Sequence, residues 1–437
     1  MRMHLKLLPL LLFSCLLFGH ANVYPAPFTP ASDAEVLEHL PFKASDPTTR
    51  ELRRLRDELS ANPRNLDKAI ALAQRYFQLA MADGDPRFIG YAQAALAPWW
   101  TLDEPPVAVL VQRATLRQYS HQFTSALADL KQVIQIEPRN GTAWSLLAAI
   151  NMVQAEYATA RQDCEHLHGL ASKLIVVACI ATVDSLSGKA EPAYLSLQET
   201  YASSTAVPAN EKLWVLTRLA EMSDRLGYAD QADAYYQAAL KLNIPDAYLL
   251  AVYAEFLLDE KRYSEVITLL KDKERSDILL MRLALAEKAL NAPKAKEHQE
   301  VIRSRFDAAR MRGDKLHIQD EARFYLFILA PPDGHGDDKT RLPHPNPPPA
   351  SEKLLAGHPE EGTNASLREF YVKEALRLAQ ENWLGQHEPS DARILMAAAL
   401  AAKDVAAAQP ALDWLAQSHI EDRHLQQLLK ALRELKS

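Results

Sequence analysis

The sequence predicts an all-α protein built of stacked helix pairs, on three observations. Only 13 glycines occur in 437 residues, Ala and Leu are abundant, and the chain repeats its own pattern at intervals of about 34 residues. Scarce glycine with plentiful strong helix formers disfavours a turn-rich β architecture. Self-similarity at that period points to identical helical units packed in series, each burying a face on its neighbour.

The repeat is plainest from Val107, where "VAVLVQRATLRQYSHQFTSALADLKQVIQIEPRN" is followed by "GTAWSLLAAINMVQAEYATARQDCEHLHGLASKL". Superposed, Leu110 meets Trp144, Ala114 meets Ala148, Phe123 meets Tyr157, Ala126 meets Ala160 and Leu130 meets Cys164. Small residues at Ala114 and Ala126 let two helices approach closely, the aromatic fills the space behind their turn, and Pro138 stops the second helix. Ala181, Gly188, Ala193 and Leu197 mark a third unit, and Ala220, Gly227, Ala232 and Tyr236 a fourth. Ala254, Tyr263, Val266 and Leu270 mark a fifth. The steps between positions equivalent to Ala126 are 34, 33, 39 and 34 residues.

This pattern resembles the tetratricopeptide repeat (TPR): an aromatic or Leu, Leu-Gly/Ala, an aromatic after the turn, two alanines and a closing proline. The resemblance implies a right-handed α-solenoid over residues 66–272, preceded by an N-terminal extension and capping helix over 22–65. Degenerate helical repeats follow over 273–330, and a C-terminal helical repeat unit occupies 366–437. "LDKAIALAQRYFQLAMADGDPRFIGYAQAALAPWW" is a divergent first unit in the same register. "KLIVVACIATV" is β-branched enough to pass for a buried strand, but the register makes it the first helix of the third unit. Trp99 and Trp100, adjacent at the end of the first unit, cannot both face one helix core. One is expected to pack against the next repeat and the other to cover an insertion or mark a contact surface, with core packing favoured for the pair over a contact role.

The chain opens "MRMHLKLLPLLLFSCLLFGHANVYPAP", with Arg2 and Lys6 before an apolar run too short to span a bilayer, closed by small residues. That is the pattern of an export signal over 1–21, cleaved near Ala21, and it predicts a periplasmic or secreted protein. Phe13 stands where a lipobox before Cys15 wants a small residue, which argues against a lipoprotein. Loss of Arg2 and Lys6 takes the formal charge from -7 to -9, a mildly acidic surface that argues against nucleic acid and anionic lipid as partners. No later segment has the apolar length of a membrane span. Residues 331–365 hold eight of the 26 prolines and little aliphatic content, so an exposed flexible insertion is expected there, looping out of one continuous array.

Candidate chemistry is thin. "GHPEEGT" (Gly357 to Thr363) has phosphate-loop glycine spacing but lacks the Lys and the preceding strand. His335, Asp337, Asp338, His344 and His358 in a flexible loop are better read as solvated polar residues than as a metal site. "KEHQE" (296–300) has the residues of a zinc-peptidase helix in the wrong order. No catalytic residue, metal site or cofactor is expected. "RQDCEHLHGL" places Cys164, His166 and His168 close together, but on a helix His166 points away from the other two. The register makes Cys164 a buried position and leaves the histidines near a helix end.

Cys179 lies on the next helix, nearly equidistant from the intervening turn, so a Cys164–Cys179 disulfide is the expectation in an oxidising compartment. Two buried, reduced cysteines are the alternative.

The resemblance implies that the first helices of successive units line an inner groove. The residues lining it would be Val111, Thr115, Gln118 and Tyr119, then Ser145, Ala149 and Met152, then Ala178 and Thr182. Trp214, Thr217, Glu221, Asp224, Tyr248 and Glu255 would continue it. The Lys and Asn or Arg with which family members clamp a chaperone carboxylate are missing from these positions. The aromatic and carboxylate residues present suit a neutral or basic extended peptide or a helix. The function expected is therefore an exported, non-catalytic scaffold or adaptor that binds another envelope protein. The alternative is an enzyme or metal carrier with its site in the C-terminal half, near the insertion.

Overall fold

The structure, a computed structural model, describes residues 45–330 and 364–436 together with Ser32. The export signal with Cys15, most of the N-terminal extension, and nearly all of the 331–365 insertion with its histidines, Asp337, Asp338 and GHPEEGT loop lie outside the described residues. The chain divides into a first unit, Met1–Glu51, and a second, Leu52–Ser437, which carries every feature described below except the first residues of α1.

The described residues form helices and no strand. After α1 (Pro47–Ala61) come antiparallel pairs: α2 (Leu66–Asp83) with α3 (Arg87–Ala95), and, past the single turn α4 (Ala97–Trp100), α5 (Val107–Tyr119) with α6 (Phe123–Ile136). Then follow α7 (Gly141–Val153) with α8 (Tyr157–Glu165), α9 (Lys173–Ser185) with α10 (Ala190–Ser203), and α11 (Ala209–Leu226) with α12 (Ala229–Leu240). Next are α13 (Ala247–Asp259) with α14 (Tyr263–Leu269), and α15 (Asp277–Ala289) with α16 (Ala295–Met311). The β-branched run around Cys179 is helix α9, as the register requires.

Local signals explain the boundaries. Asn140, Ser172 and Asp246 cap α7, α9 and α13 by accepting from the amides of Ala143, Ile175 and Leu249. Ala114, Ala126, Ala148, Ala160, Ala220, Ala232 and Ala254 have no exposed surface, which is how paired helices come into contact. The turn inside each pair contains one left-handed residue, and these recur in the repeat's own steps: His121, Ala155, Gly188, Gly227 and Lys261. Two are the glycines the sequence displays; the others hold the same backbone with a side chain. The 39-residue step is absorbed mainly by α11, 18 residues against 13 in α9.

The stack curls back on itself. A Cβ on Gly84, in the turn of the first pair, would lie 2.3 Å from Ser276 Oγ and 3.1 Å from Ala247 Cβ, at the starts of α15 and α13. Trp99 and Trp100 lie half-buried between core and surface, and Trp100 meets the next pair, as one of the two is expected to do. It accepts the Arg117 guanidinium over its ring at 5.7 Å.

Past α16, α17 (Ile318–Arg323) runs into a π-helical turn, Phe324–Leu329, and packs against α18 (Asn364–Trp383) across the insertion. α19 (Pro389–Ala402) packs on α18, and α20 (Gln409–Ser418) and α21 (Arg423–Lys436) complete a C-terminal unit. Its core joins Ala322, Tyr325 and Leu326 to Val372, Trp383, Leu395 and Trp414. Helices from the two sides of the insertion thus share one core, and the C-terminal helices turn inward against the earlier pairs.

Candidate functional site

Because the C-terminal unit turns inward, it meets the α11–α13 face expected to form an open groove. Five carboxylates stand there: Glu221 and Asp224 on α11, Glu255 and Asp259 on α13, and Glu260 just after it. Helical spacing of three to five residues keeps them on neighbouring turns. Guanidiniums from later in the chain meet four of them. Arg423 donates from Nη2 to Asp224 Oδ1 at 2.6 Å and Glu260 Oε1 at 2.5 Å. Arg393 grips Asp259 with both terminal nitrogens, Nη1 to Oδ2 at 2.6 Å. Glu255 accepts from Arg323 Nη1 at 2.5 Å, with Arg282 Nε at 3.3 Å and Arg393 Nη1 at 3.9 Å. Arg282 also reaches Asp320 at 3.2 Å.

The fifth carboxylate pairs within the face itself. Glu221 sits 2.8 Å from Arg218 and accepts from the Tyr248 hydroxyl at 2.6 Å, while Arg218 lies over the Tyr248 ring at 4.9 Å. Tyr248 remains 42% exposed, so this end of the face keeps contact with solvent.

Charge decides the protonation states. Burial works to raise the pKa of Glu255, but Arg323, Arg282 and Arg393 overcome it and bring the carboxyl to about 2. Burial likewise opposes ionisation of Asp224, and the hydrogen bond and charge of His424, with Arg423, lower its pKa nonetheless. His424 Nε2 lies 3.3 Å from Asp224 and 3.7 Å from Asp259. Burial pulls its pKa down, but the Asp224 hydrogen bond and the two carboxylate charges raise it above an ordinary histidine's, against Arg393.

Asp224, Asp259 and His424 hold ligating atoms within 4.8 Å of one another, the one such group among the described residues. Each carboxylate there is already bonded to a guanidinium, so the cluster is organised as an ion-pair network around a histidine.

At the start of α19, Glu388 and Asp391 cap each other reciprocally, Glu388 N donating to Asp391 Oδ2 at 2.9 Å. Asp391 is buried and accepts from Asn382 and Gln319, each at 2.7 Å. Burial raises its pKa despite these bonds. Burial and then the Asp391 charge raise that of Glu388, against Arg218.

The remaining groove positions disperse. Val111, Thr115, Gln118 and Ala149 are half-buried and Ser145 is exposed. Tyr119 stands edge-on to Phe77 of the first pair at 6.1 Å, and burial pushes its phenol up to about 12. Met152 and Trp214 pack on the cluster around the cysteines. Ala178, Thr182 and Thr217 are buried between helices, their threonine hydroxyls turned back to the carbonyls of Ala178 and Leu213, so they do not line a groove.

Cys164 and Cys179 form a disulfide, with Cα atoms 5.6 Å apart, inside that cluster. His166 stacks on Trp144 at 3.9 Å, and His168 is exposed at the end of the unit. His298 of "KEHQE" is buried and bonds Glu287 at 2.8 Å, fastening α16 to α15.

Asp259, Glu260, Arg323, Arg393, Arg423 and His424 escaped sequence reasoning. Their only sequence signal is charge at helix positions on segments up to about 200 residues apart, whose meeting depends on the inward turn.

No described helix is long and apolar enough to cross a membrane. No protein-family model matches the chain, and no curated protein does. Among solved structures, the human IFIT1 dimer with m7Gppp-AAAA aligns over 80% of this chain and 76% of that one, at 12% identity and TM-score 0.38. The TPR domain of P58(IPK) aligns over 76% and 98%, at 12% and 0.23, and yeast Tom70 over 89% and 95%, at 11% and 0.31. At these identities and scores the likenesses carry no argument about partner or activity. The expectation against nucleic acid accordingly rests on the chain's acidic charge alone, and the all-α, TPR-like architecture stands on the helix pairs themselves.

Proposed function

We propose that this protein is an exported helical-repeat scaffold or adaptor that acts in the cell envelope without catalysis and binds another protein through its inner face. One observation carries the reading: the α11–α13 face concentrates five carboxylates beside a solvent-accessible Tyr248, and guanidiniums of the same chain neutralise four of them. A face that recognises arginines in cis is electrostatically suited to a basic segment of a partner. Export to the periplasm, or beyond the cell, is supported by the leader pattern before Asn22 and is consistent with a disulfide-bonded helix pair.

The test is photo-crosslinking in intact cells with the reactive group placed at Tyr248, and in a control at the exposed Lys131 on α6. A discrete protein adduct from Tyr248 and none from Lys131, in the exported fraction, is expected. Equal labelling from both positions, or retention of the protein in the cytoplasm, would refute the reading.

A further inference from the structure

The C-terminal unit is attached in two different ways. Toward α17 it shares an apolar core, whereas the α11–α13 face is met by Arg393, Arg423 and His424. Toward earlier repeats it offers isolated polar contacts: Ala190 N donates to Glu421 Oε2 at 2.5 Å, His387 N to Val153 O at 2.8 Å, and Trp414 Nε1 to the Tyr157 hydroxyl at 3.1 Å. Apolar support from those repeats comes from Ala155, Tyr157 and Leu186, with Gly188 approaching the backbone of Ser418 and His419. An intramolecular contact this polar resembles a transient interface more than a core.

We propose that this contact is a proton-controlled latch, closed in mildly acid solution and loosening as pH rises through neutrality, which uncovers the carboxylate face. It rests on the reading of that face as the binding surface and supplies its regulation.

The titrating groups act in one direction. His424 is faced by Asp224 from α11, Asp259 from α13 and Arg393 from α19, with Arg423 beside it on its own helix bonding Asp224 and Glu260. Closure places an imidazolium between two carboxylates. With its pKa raised in the closed form, the contribution is complete below the ordinary histidine range and is lost as pH rises through the raised value. Glu388 and Asp391 face each other, with Arg218 and Glu221 of α11 toward Glu388, and Arg323, Gln319 and Asn382 toward Asp391. Asp391 is held by groups of its own unit and α17, so closure does not set its state. Glu388 is faced by α11, and its burial there favours the protonated form against Arg218, so ionising Glu388 as pH rises also weakens closure. Asp224 and Glu255 set the opposite limit: their pKa values are depressed, and their contribution is lost only as pH falls below the usual carboxylate range.

The amides of Ala190 and His387 report closure directly, because each donates across the contact. Hydrogen exchange of the full chain is measured at both amides between about pH 6 and pH 8.5, as protection relative to the intrinsic rate, with α5–α8 as control. Protection at the two amides is expected to fall severalfold over this range while the control stays flat, because the group that closes the contact is favoured protonated only in the closed form. In His424→Ala protection should start lower and lose most of its slope. Arg423→Gln, which removes an ion pair and leaves the imidazole, should lower protection at every pH and keep the slope.

Flat protection in the unsubstituted chain, or an unchanged slope in His424→Ala, would overturn the latch. So would loss of protection on adding EDTA at constant pH, which would assign closure to a metal ion. Partner binding is not measured, so each of these outcomes leaves the scaffold reading to the crosslinking experiment.

Discussion

Glu255→Gln tests whether charge holds the C-terminal unit to the solenoid. The substitution keeps the shape of the side chain and removes the charge that three guanidiniums approach. Arg282 and Arg393 have second carboxylates in Asp320 and Asp259, while Arg323, 5% exposed, is paired with Glu255. The glutamate pKa moves from 4.5 to about 2. At 1.36 kcal/mol per unit, that shift corresponds to at most about 3 kcal/mol, since the carboxyl retains some solvent contact. A depressed pKa stabilises above the ordinary value and loses its effect as pH falls toward the depressed one. The cost of Glu255→Gln should therefore be about 2–3 kcal/mol near pH 7, persist to about pH 5, and shrink by about pH 3.5. Urea unfolding followed by far-UV circular dichroism at these pH values measures it. A cost below about 1 kcal/mol near neutrality, or one independent of pH, would refute the argument that this carboxylate is held ionised by the guanidiniums.

Other perturbations address the repeats. Replacing both Cys164 and Cys179 by Ser opens a loop of 15 residues and should cost about 3 kcal/mol in urea unfolding, with added reductant bringing the unsubstituted chain to the same midpoint. Asp129→Ala strands Arg113, which is 4% exposed and bonds Asp129 at 2.7 and 2.9 Å; a loss of about 3–5 kcal/mol is expected. The joint replacement Arg113→Met with Asp129→Leu should recover only part of that loss, because Arg117, which bonds Asp129 at 2.7 Å, and the Trp100 and Leu102 carbonyls, which accept from Arg113, also lose a partner. Lys261→Gly removes an exposed side chain from a left-handed turn residue and should raise stability by about 0.5–1 kcal/mol, read as a rise in melting temperature.

The repeat was legible because it is written in short-range terms. Ala126, Ala160 and Ala232 recur where helices touch, Pro138 and Asn140 mark a boundary, and Cys164 and Cys179 straddle one turn, so local spacing sufficed to bring them together. Left-handed turns at His121, Ala155 and Lys261 were not legible, since nothing in those residue types announces the conformation that Gly188 and Gly227 advertise.

The sequence by itself determined an all-α chain of helix pairs, their register, the small residues at their contacts and the two cysteines that meet. Periodicity encodes each of these within about 40 residues. Tertiary structure alone decided what stands against the inner face. Arg393, Arg423 and His424 read as ordinary polar helix residues until the turn after α17 brings them to Asp224, Asp259 and Glu260. Complementary charge can pair across any sequence distance, and only the path of the backbone selects which charges meet.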